Sequence, residues 1–221
     1  AEANGWHTGN VKSIQGSYEA REVFGEVVVP LLKDQPLARE LDLSLAARHT
    51  DYSSSGGVTT WKAGLSYTLN DQLRLRGTRS RDIRAGNLGE LFTATSVTVG
   101  NVRNPLTNVT TQAPVTTRGN PSLDPEKANT TTAGIVYAPA WLDGLRLSAD
   151  WYNIEINGLI GVIQAQQVLD RCYLDNLAQF CADVATGANG AITGVTVRQQ
   201  NLNYFETQGV DIEAAYRFPL S

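Results

Sequence analysis

The sequence predicts an all-β fold: a segment of an antiparallel β-barrel that crosses a membrane and carries long loops on one side. About seven segments alternate apolar and polar residues, which is the pattern of β-strands. Most of them span about 10–14 residues, whereas ordinary strands have about 5–6. Every second connection between the segments is long. The alternation, the strand length and the loop pattern together favour a membrane barrel.

The alternation is clearest where Leu41, Leu43 and Leu45 are separated by polar residues. Because successive side chains of a strand point to opposite faces, each such run predicts one apolar and one polar face. The phase slips at Trp151–Tyr152, which a β-bulge or a change of environment would explain. We expect lipid contacts from the apolar face, through Val27, Val29, Leu43, Leu45, Leu65, Leu75, Ile135 and Leu147.

The length of the strands fits a membrane. A strand of about 12 residues is roughly 40 Å long, and a tilt of about 45° leaves a rise of about 28 Å. The apolar band of an outer-membrane barrel is about 25 Å tall. No uncharged apolar window of about 18 residues exists, so no transmembrane helix is expected.

The connections alternate in length. Short ones with turn residues lie at 33–40, 70–72 and 138–144, and longer ones at 52–59, 82–125 and 158–204. Outer-membrane barrels place short turns on the periplasmic side and long loops outside. We therefore expect residues 82–125 and 158–204 to form extracellular loops.

Composition excludes several classes of function. The net charge of −4 argues against a basic nucleic-acid-binding face. Neither of the two histidines, His7 and His49, lies in a cluster with metal-ligand spacing, so we expect no metal site and no cofactor. No nucleophile motif, P-loop or dinucleotide fingerprint occurs, and no catalytic residue is predicted.

The two cysteines lie in a segment, residues 162–184, whose pattern is partly helical. On one unbroken helix Cys172 and Cys181 would be about 13.5 Å apart. A disulfide needs Cα atoms within about 7 Å, so a bridge would require a break, most plausibly at Asp175–Asn176. Two free thiols in a buried helix are the alternative.

An arginine-rich segment is the most specific feature of the chain. Residues 76–92 read RGTRSRDIRAGNLGELF, a strand that passes into a polar, glycine-containing loop. This run resembles a barrel signature of TonB-dependent outer-membrane receptors, commonly RGTYSRSFRAPNLGELF. Here Arg79 replaces the tyrosine of that pattern and Gly86 replaces its proline.

Four further stretches resemble the same family, in the same order: residues 22–32 (EVFGEVVVPLL), 41–52 (LDLSLAARHTDY), 119–139 (GNPSLDPEKANTTTAGIVYAP) and 209–220 (GVDIEAAYRFPL). The resemblance implies that residues 1–221 are part of a barrel of 22 strands. The plug domain and the TonB-binding segment of the family are expected outside this chain.

The resemblance also implies a function. Family members bind a scarce solute, commonly a ferric siderophore, and import it through the outer membrane by TonB-coupled transport. The implied partners are outer-membrane lipid, the receptor's own plug domain, the TonB energy-coupling complex and a small-molecule ligand. The alternative that the sequence leaves open is a soluble β-sandwich that serves as an adhesion or carbohydrate-binding module.

Two groups of side chains are candidates for functional roles. The first shares the polar phase of the strands and is expected to face the lumen or the plug: Glu26, Arg48, Lys62, Arg74 and Arg76. The second lies in the two longest loops and is expected near a ligand: Arg84, Asn87, Arg171, Tyr173 and Phe180.

Overall fold

The computed structural model describes residues 13–218, apart from the side chain of residue 203. His7 and the last residues of the family-like stretch 209–220 lie outside this range. The strands are β1 (Ala20–Gln35), β2 (Ala38–Tyr52), β3 (Gly56–Thr68), β4 (Leu73–Arg84), β5 (Ser96–Arg103), β6 (Thr110–Arg118), β7 (Glu126–Tyr137), β8 (Leu145–Val162), β9 (Val184–Thr186) and β10 (Ile192–Tyr216). The helices are α1 (Leu88–Phe92), α2 (Ala165–Tyr173) and α3 (Ala178–Cys181).

The chain divides into two units, each of which is described by itself. The strand unit comprises residues 19–84, 125–159 and 203–218. The loop unit comprises residues 13–18, 85–124 and 160–202. In residues 13–218, no helix combines the length and the apolar character that a membrane crossing requires.

The strand unit contains the seven predicted long strands, in the order β1-β2-β3-β4-β7-β8-β10. The neighbours from β1 to β8 pair in antiparallel fashion. Pairing passes directly from β4 to β7, so the chain between them leaves the sheet and returns. The predicted all-β fold of long antiparallel strands is therefore confirmed.

The register places all eight predicted apolar residues on one face of this sheet. Val29 is opposite Leu43, and Leu43 is opposite Leu65. Directly opposed residues of paired strands lie on the same face. Leu75 is opposite Ile135, which extends the same face to β7. We call this surface the apolar face.

The apolar face is exposed in the part of the chain that the structure describes. Leu45, Leu65 and Leu75 are 41%, 45% and 41% exposed, and Ile135 is 43% exposed. A β-sandwich buries the inner face of each sheet against the other, so this exposure contradicts the soluble sandwich alternative. A continuous exposed apolar surface of this kind marks a surface that contacts a membrane or another protein.

One predicted long connection is a tight turn. Tyr52 pairs with Gly56, so β2 and β3 are joined by only residues 53–55, whereas the sequence predicted a longer loop at 52–59. Gly56 has a φ of +76°, a backbone conformation that glycine adopts without a steric penalty. The two glycines at 56 and 57 pair with Tyr52 and Asp51 as strand residues, which shortens the connection.

The predicted irregularity at Trp151–Tyr152 is not a bulge. Pairing between β7 and β8 is continuous from Tyr137–Leu147 to Lys127–Asn157. The other predicted explanation, a change of environment along β8, stays a prediction. A register shift does occur in β1, between Pro30 and Leu32, where proline lacks the N–H that regular pairing requires.

The loop unit contains more regular structure than the sequence predicted. Within the expected loop 82–125, β5 and β6 form an antiparallel hairpin. The segment is rich in Thr and Val, which favour strands, and this explains the hairpin within the expected loop. β6 also pairs in parallel with the first part of β10, with Val115 opposite Val195.

Helices α2 and α3 pack on this small sheet and form the main core of the loop unit. Val168 and Leu169 of α2 have no exposed surface. They join Val102 of β5 and Ala113 of β6 in one cluster. A second, smaller cluster combines Leu91 and Leu123, which belong to two of the family-like stretches.

Candidate functional site

The five charged candidates of the strand unit share one face, opposite the apolar face. Glu26 and Lys62 are both opposite Ala46, one from each side. Arg48 follows two residues after Ala46, and Arg74 and Arg76 have the same phase on β4. We call this surface the charged face.

At the β1–β2 end of the charged face, Arg48 has two kinds of partner. Its Nη1 lies 3.3 Å from Oε2 of Glu22. Its guanidinium also lies over the ring of Phe24, 5.3 Å from the ring centroid, in a cation–π arrangement. Thr50 donates a hydrogen bond of 2.9 Å to the other carboxylate oxygen of Glu22. Arg48 is therefore held in place above the strands.

The same region contains an open cavity of about 340 Å³. Its lining combines both charge signs with an aromatic ring and includes Glu26, Arg48, Lys62, Asp82 and Phe24. Such a lining suits a polar solute or another polar protein surface better than an apolar ligand.

Further along the charged face, Arg76 pairs with Asp150 across an intervening strand. Arg76 Nε and Nη2 lie 2.7 and 2.6 Å from the two carboxylate oxygens of Asp150. Both residues are opposite Gly134 of β7. A Cβ atom at position 134 would lie 1.9 Å from Oδ1 of Asp150, so glycine provides the space for the pair.

Two more glycines of the charged face leave space for side chains of neighbouring strands. Ser44 Oγ lies 2.7 Å from the position of a Cβ on Gly64. The hydroxyl oxygen of Tyr152 lies 2.6 Å from the position that a Cβ on Gly209 would occupy. Between these glycines, the hydroxyls of Thr78 and Thr132 are 2.7 Å apart and hydrogen-bonded. Small and hydroxylated residues thus form a polar stripe along the charged face.

Arg84 lies at the end of β4 and pairs with the first residue of β7. Its Nε and Nη2 are 2.8 and 2.6 Å from the carboxylate oxygens of Glu126. Glu126 is only 6% exposed. Arg84 therefore has a position fixed by an internal ion pair, which makes it a weaker candidate for direct ligand contact than the sequence suggested.

Asn87 caps helix α1 in the loop unit. Its side-chain oxygen accepts a 2.9 Å hydrogen bond from the backbone N–H of Glu90. The Glu90 carboxylate accepts one of 2.8 Å from the N–H of Asn87, which completes a capping box. The side chain of Asn87, one of the candidates expected near a ligand, thus caps the start of a helix.

The cysteine segment is closed by a disulfide. Cys172 and Cys181 are bonded, with Cα atoms 4.7 Å apart. Helix α2 ends at Tyr173 and α3 begins at Ala178, so the helix breaks at the predicted position. Asn176, within the break, has a left-handed φ of +54°, which asparagine adopts more readily than most residues.

The three remaining loop candidates have different surroundings. Phe180 is 7% exposed and packs in the core with Val168 and Leu169, so its ring takes part in packing, and its contact with a ligand stays a prediction. Tyr173 is half-buried against the same core. Arg171 is exposed and forms a surface ion pair of 2.8 Å with Asp175, one helical turn away.

Sequence reasoning missed the acidic partners of the arginines. Asp150, Glu126 and Glu22 each pair with a predicted arginine, and none was singled out. Asp150 has the same phase on its strand as Arg146 and Ser148, so strand parity could have placed it on the polar face, although not beside Arg76. In the described part of the chain, no group of three or more His, Cys, Asp or Glu residues could hold a metal ion.

Comparisons with known proteins agree with this architecture. The siderophore receptor PirA from Acinetobacter baumannii superposes with a TM-score of 0.60 at 20% identity, covering 90% of this chain and 26% of that receptor. A mutant of the ferric enterobactin receptor PfeA from Pseudomonas aeruginosa gives 0.66 at 18% identity, with coverages of 92% and 25%. PirA from Pseudomonas aeruginosa gives 0.59 at 17% identity, with coverages of 88% and 30%.

These structures share the fold of this chain, which spans about a quarter of the length of the solved receptors that it matches. A search of curated proteins finds no match. The family model described as TonB dependent receptor-like, beta-barrel, matches residues 4–221, which is nearly the whole sequence. The chain therefore belongs to the TonB-dependent receptor β-barrel family and resides in the bacterial outer membrane.

Proposed function

We propose that this chain forms part of the barrel wall and one extracellular loop cluster of a receptor that imports a ferric siderophore or a similar scarce chelate. Members of the family are transporters and not enzymes. The observation that supports the proposal most strongly is the family match over residues 4–221. The solved neighbours described as siderophore and ferric enterobactin receptors favour the siderophore class for the ligand.

The charged face is proposed to line the lumen. A cationic side chain facing lipid at the bilayer midplane costs about 2–4 kcal/mol. Arg48, Lys62 and Arg76 lie on the charged face, and Leu45, Leu65 and Leu75 lie on the apolar face. A single orientation of the sheet therefore keeps the cations out of the lipid and the leucines in it. In that orientation the charges contact water or the plug domain.

The plug domain and the TonB complex are proposed partners of the complete receptor. Members of the family are expected to couple solute release to movement of the plug. Glu26, Arg48, Lys62, Arg74 and Arg76 would then face the plug or the solute path. The cavity around Arg48 is a suitable place for such a polar contact, since its lining carries both signs of charge.

The disulfide-closed segment is proposed to contact the ligand from the extracellular side. Arg171 is exposed, with its charge only partly compensated by Asp175. An exposed ion pair of this kind contributes little to stability, so Arg171 can exchange Asp175 for an anionic chelate at small cost. Tyr173 lies nearby on the same helix and rests on the core, which limits the entropy lost on binding.

The test is uptake of radiolabelled ferric siderophores by cells that carry the full-length receptor. Arg171→Glu is expected to weaken ligand binding about tenfold or more, since a hydrogen bond to a charged group contributes about 1.5–3 kcal/mol. Asp175→Asn is the matched control, because it removes the same ion pair but leaves the positive charge. It should bind ligand as well as the wild type or better.

Two results would count against the proposal. If Arg171→Glu and Asp175→Asn have equal uptake at equal outer-membrane levels, Arg171 does not contact the ligand. If removal of the whole receptor leaves uptake of every tested ferric siderophore unchanged, the proposed ligand class is wrong. The second result leaves the family assignment intact, since other members of the fold carry other solutes.

A further inference from the structure

The apolar face changes character partway along β4 and β7. On β4, Leu73, Leu75 and Gly77 are followed in the same phase by Arg79 and Arg81. The same change occurs on β7, where the apolar residues Tyr137, Ile135 and Ala133 are followed, towards the same end of the sheet, by Thr131, Asn129 and Lys127. The surface that is apolar over one part of the sheet is therefore cationic over the next.

The three cations of this patch are close neighbours. Arg79 is opposite Thr131, and Arg81 is opposite Asn129. Residues two apart on a strand are separated by about 7 Å. Lys127 is opposite Ile83, which makes it a diagonal neighbour of Arg81, at about 7–8 Å. We call Arg79, Arg81 and Lys127 the rim patch.

The rim patch lacks internal charge compensation. Arg79 donates a hydrogen bond to Oγ1 of Thr131, and Arg81 Nε donates one of 3.1 Å to Oδ1 of Asn129. Within the described residues, no salt bridge joins any of the three cations to a carboxylate, and all three side chains are exposed. On the same face, Glu155 of β8 is opposite Asn129, one strand further along.

An aromatic residue borders the patch. Trp61 of β3 is opposite Arg81, and Ala63 is opposite Arg79. Tryptophan is enriched where a barrel surface passes from hydrocarbon to headgroups. The patch thus begins where the apolar band ends, with an indole ring beside it.

The direction of the strands places the patch on the outer side of the membrane. β4 begins after the short turn at residues 69–72 and ends before the long segment that forms part of the loop unit. Short turns are periplasmic and long loops are extracellular in outer-membrane barrels. Arg79 and Arg81 follow Gly77 towards the long segment, so they lie at the extracellular rim of the apolar band.

Charges at this level can contact the polar headgroups. A cation facing lipid is strongly unfavourable at the midplane, and this penalty becomes small near the interface. The planar guanidinium matches phosphate oxygens with two parallel hydrogen bonds. Two guanidiniums and an ammonium at this spacing can therefore hold a headgroup that carries phosphate.

We propose that the rim patch is a binding site on the outer wall of the barrel for a phosphorylated headgroup of an outer-leaflet lipid. Trp61 would rest at the junction of the headgroup and its acyl chains. Arg79 distinguishes this chain, since the family pattern it resembles has tyrosine there. The proposal rests on the barrel assignment and its orientation, and does not depend on which solute is imported.

Binding to lipid is measured with the full-length receptor in detergent, stripped of lipid and titrated with defined glycolipids in native mass spectrometry. The ligands are a doubly phosphorylated lipid A and the same lipid with both phosphates removed. The variants are Arg79→Tyr, Arg81→Gln and the double variant. Arg146→Gln is the matched control, because Arg146 lies on a barrel strand with the phase of the charged face.

The wild type is expected to bind the phosphorylated lipid more tightly than the dephosphorylated one. Each arginine should contribute about fivefold to the affinity and the two together about thirtyfold, from about 1 kcal/mol for each basic residue at an anionic surface. Arg146→Gln should bind like the wild type. Thermal stability of every variant is recorded in the same detergent, so that loss of the fold is not mistaken for loss of the site.

Three outcomes would overturn the proposal. The first is equal affinity for the two lipids. The second is wild-type affinity of the folded double variant. The third is displacement of the phosphorylated lipid by inorganic phosphate at comparable concentration, which would show an anion site without lipid selectivity.

Discussion

Arg76 and Asp150 are joined across β7 by two hydrogen bonds of 2.7 and 2.6 Å, directly above Gly134. The residues are 74 positions apart in the sequence. Their pairing ties β4 to β8 over the strand that separates them. The side chain of Arg76 remains half exposed, so the pair combines a structural contact with a charge on the face proposed to line the lumen.

Gly134→Ala is expected to destabilise the barrel of the full-length receptor. The new Cβ would lie 1.9 Å from Oδ1 of Asp150 and 3.2 Å from Nε of Arg76, so the ion pair must shift or break. Overpacking of this kind costs about 1–3 kcal/mol. The measurement is the temperature at which the folded receptor loses its resistance to unfolding in dodecyl sulfate.

Gly77→Ala is the control for this variant. Its Cβ would meet only the carbonyl oxygen of Thr132, at 3.5 Å, an ordinary contact. Each variant replaces one glycine with alanine, on β4 or on the neighbouring β7. The strand propensity therefore rises equally in the two variants. Identical unfolding temperatures for the two would mean that the Arg76–Asp150 pair does not require the space above Gly134.

Leu45→Arg is expected to block assembly of the receptor, whereas Ser44→Arg is not. Leu45 is exposed on the apolar face, where a charge costs about 2–4 kcal/mol in lipid. Ser44 is its neighbour in the chain but has the phase of the charged face. Outer-membrane fractions of cells that express each variant are compared by immunoblot. Equal levels of both would mean that the two faces are assigned the wrong way round or that the architecture is wrong.

The Cys172–Cys181 disulfide is expected to stabilise the loop unit without affecting the barrel strands. Closing a loop of this size contributes about 2–3 kcal/mol in the chain-entropy model. The double variant Cys172→Ser, Cys181→Ser should be cleaved faster by protease near the break at Asn176. Its barrel should unfold at the wild-type temperature. Unchanged cleavage would assign the stability of this segment to its core contacts alone.

Phe180→Ala is expected to loosen the loop unit through loss of packing and not through loss of a ligand contact. Removal of a buried phenyl ring costs about 3–5 kcal/mol. Leu177→Ala is the control, since Leu177 is 39% exposed and precedes the same short helix. Faster proteolysis of Phe180→Ala is the expected result. Wild-type proteolysis combined with weaker ligand binding would identify Phe180 as a direct contact.

The sequence predicted features that depend on neighbouring residues. Alternation with a period of two is local, so the runs around Leu43 and Leu65 were sufficient to assign strands and their two faces. The helix break near Asn176 followed from a distance limit on a disulfide and the rise of a helix. The arginine-rich run at residues 76–92 carried the family resemblance that the family match over 4–221 supports.

Features that depend on distant segments were decided only by the tertiary structure. Asp150 could be recognised as the partner of Arg76 only after β7 and its Gly134 were placed between their strands. The burial of Phe180 depends on a hairpin, β5–β6, that the sequence did not reveal. The sequence by itself determined which face of each strand is apolar, because side-chain alternation is a property of one strand. Which charged residues meet across the sheet depends on register between strands, and register is set by pairing over long separations in the chain.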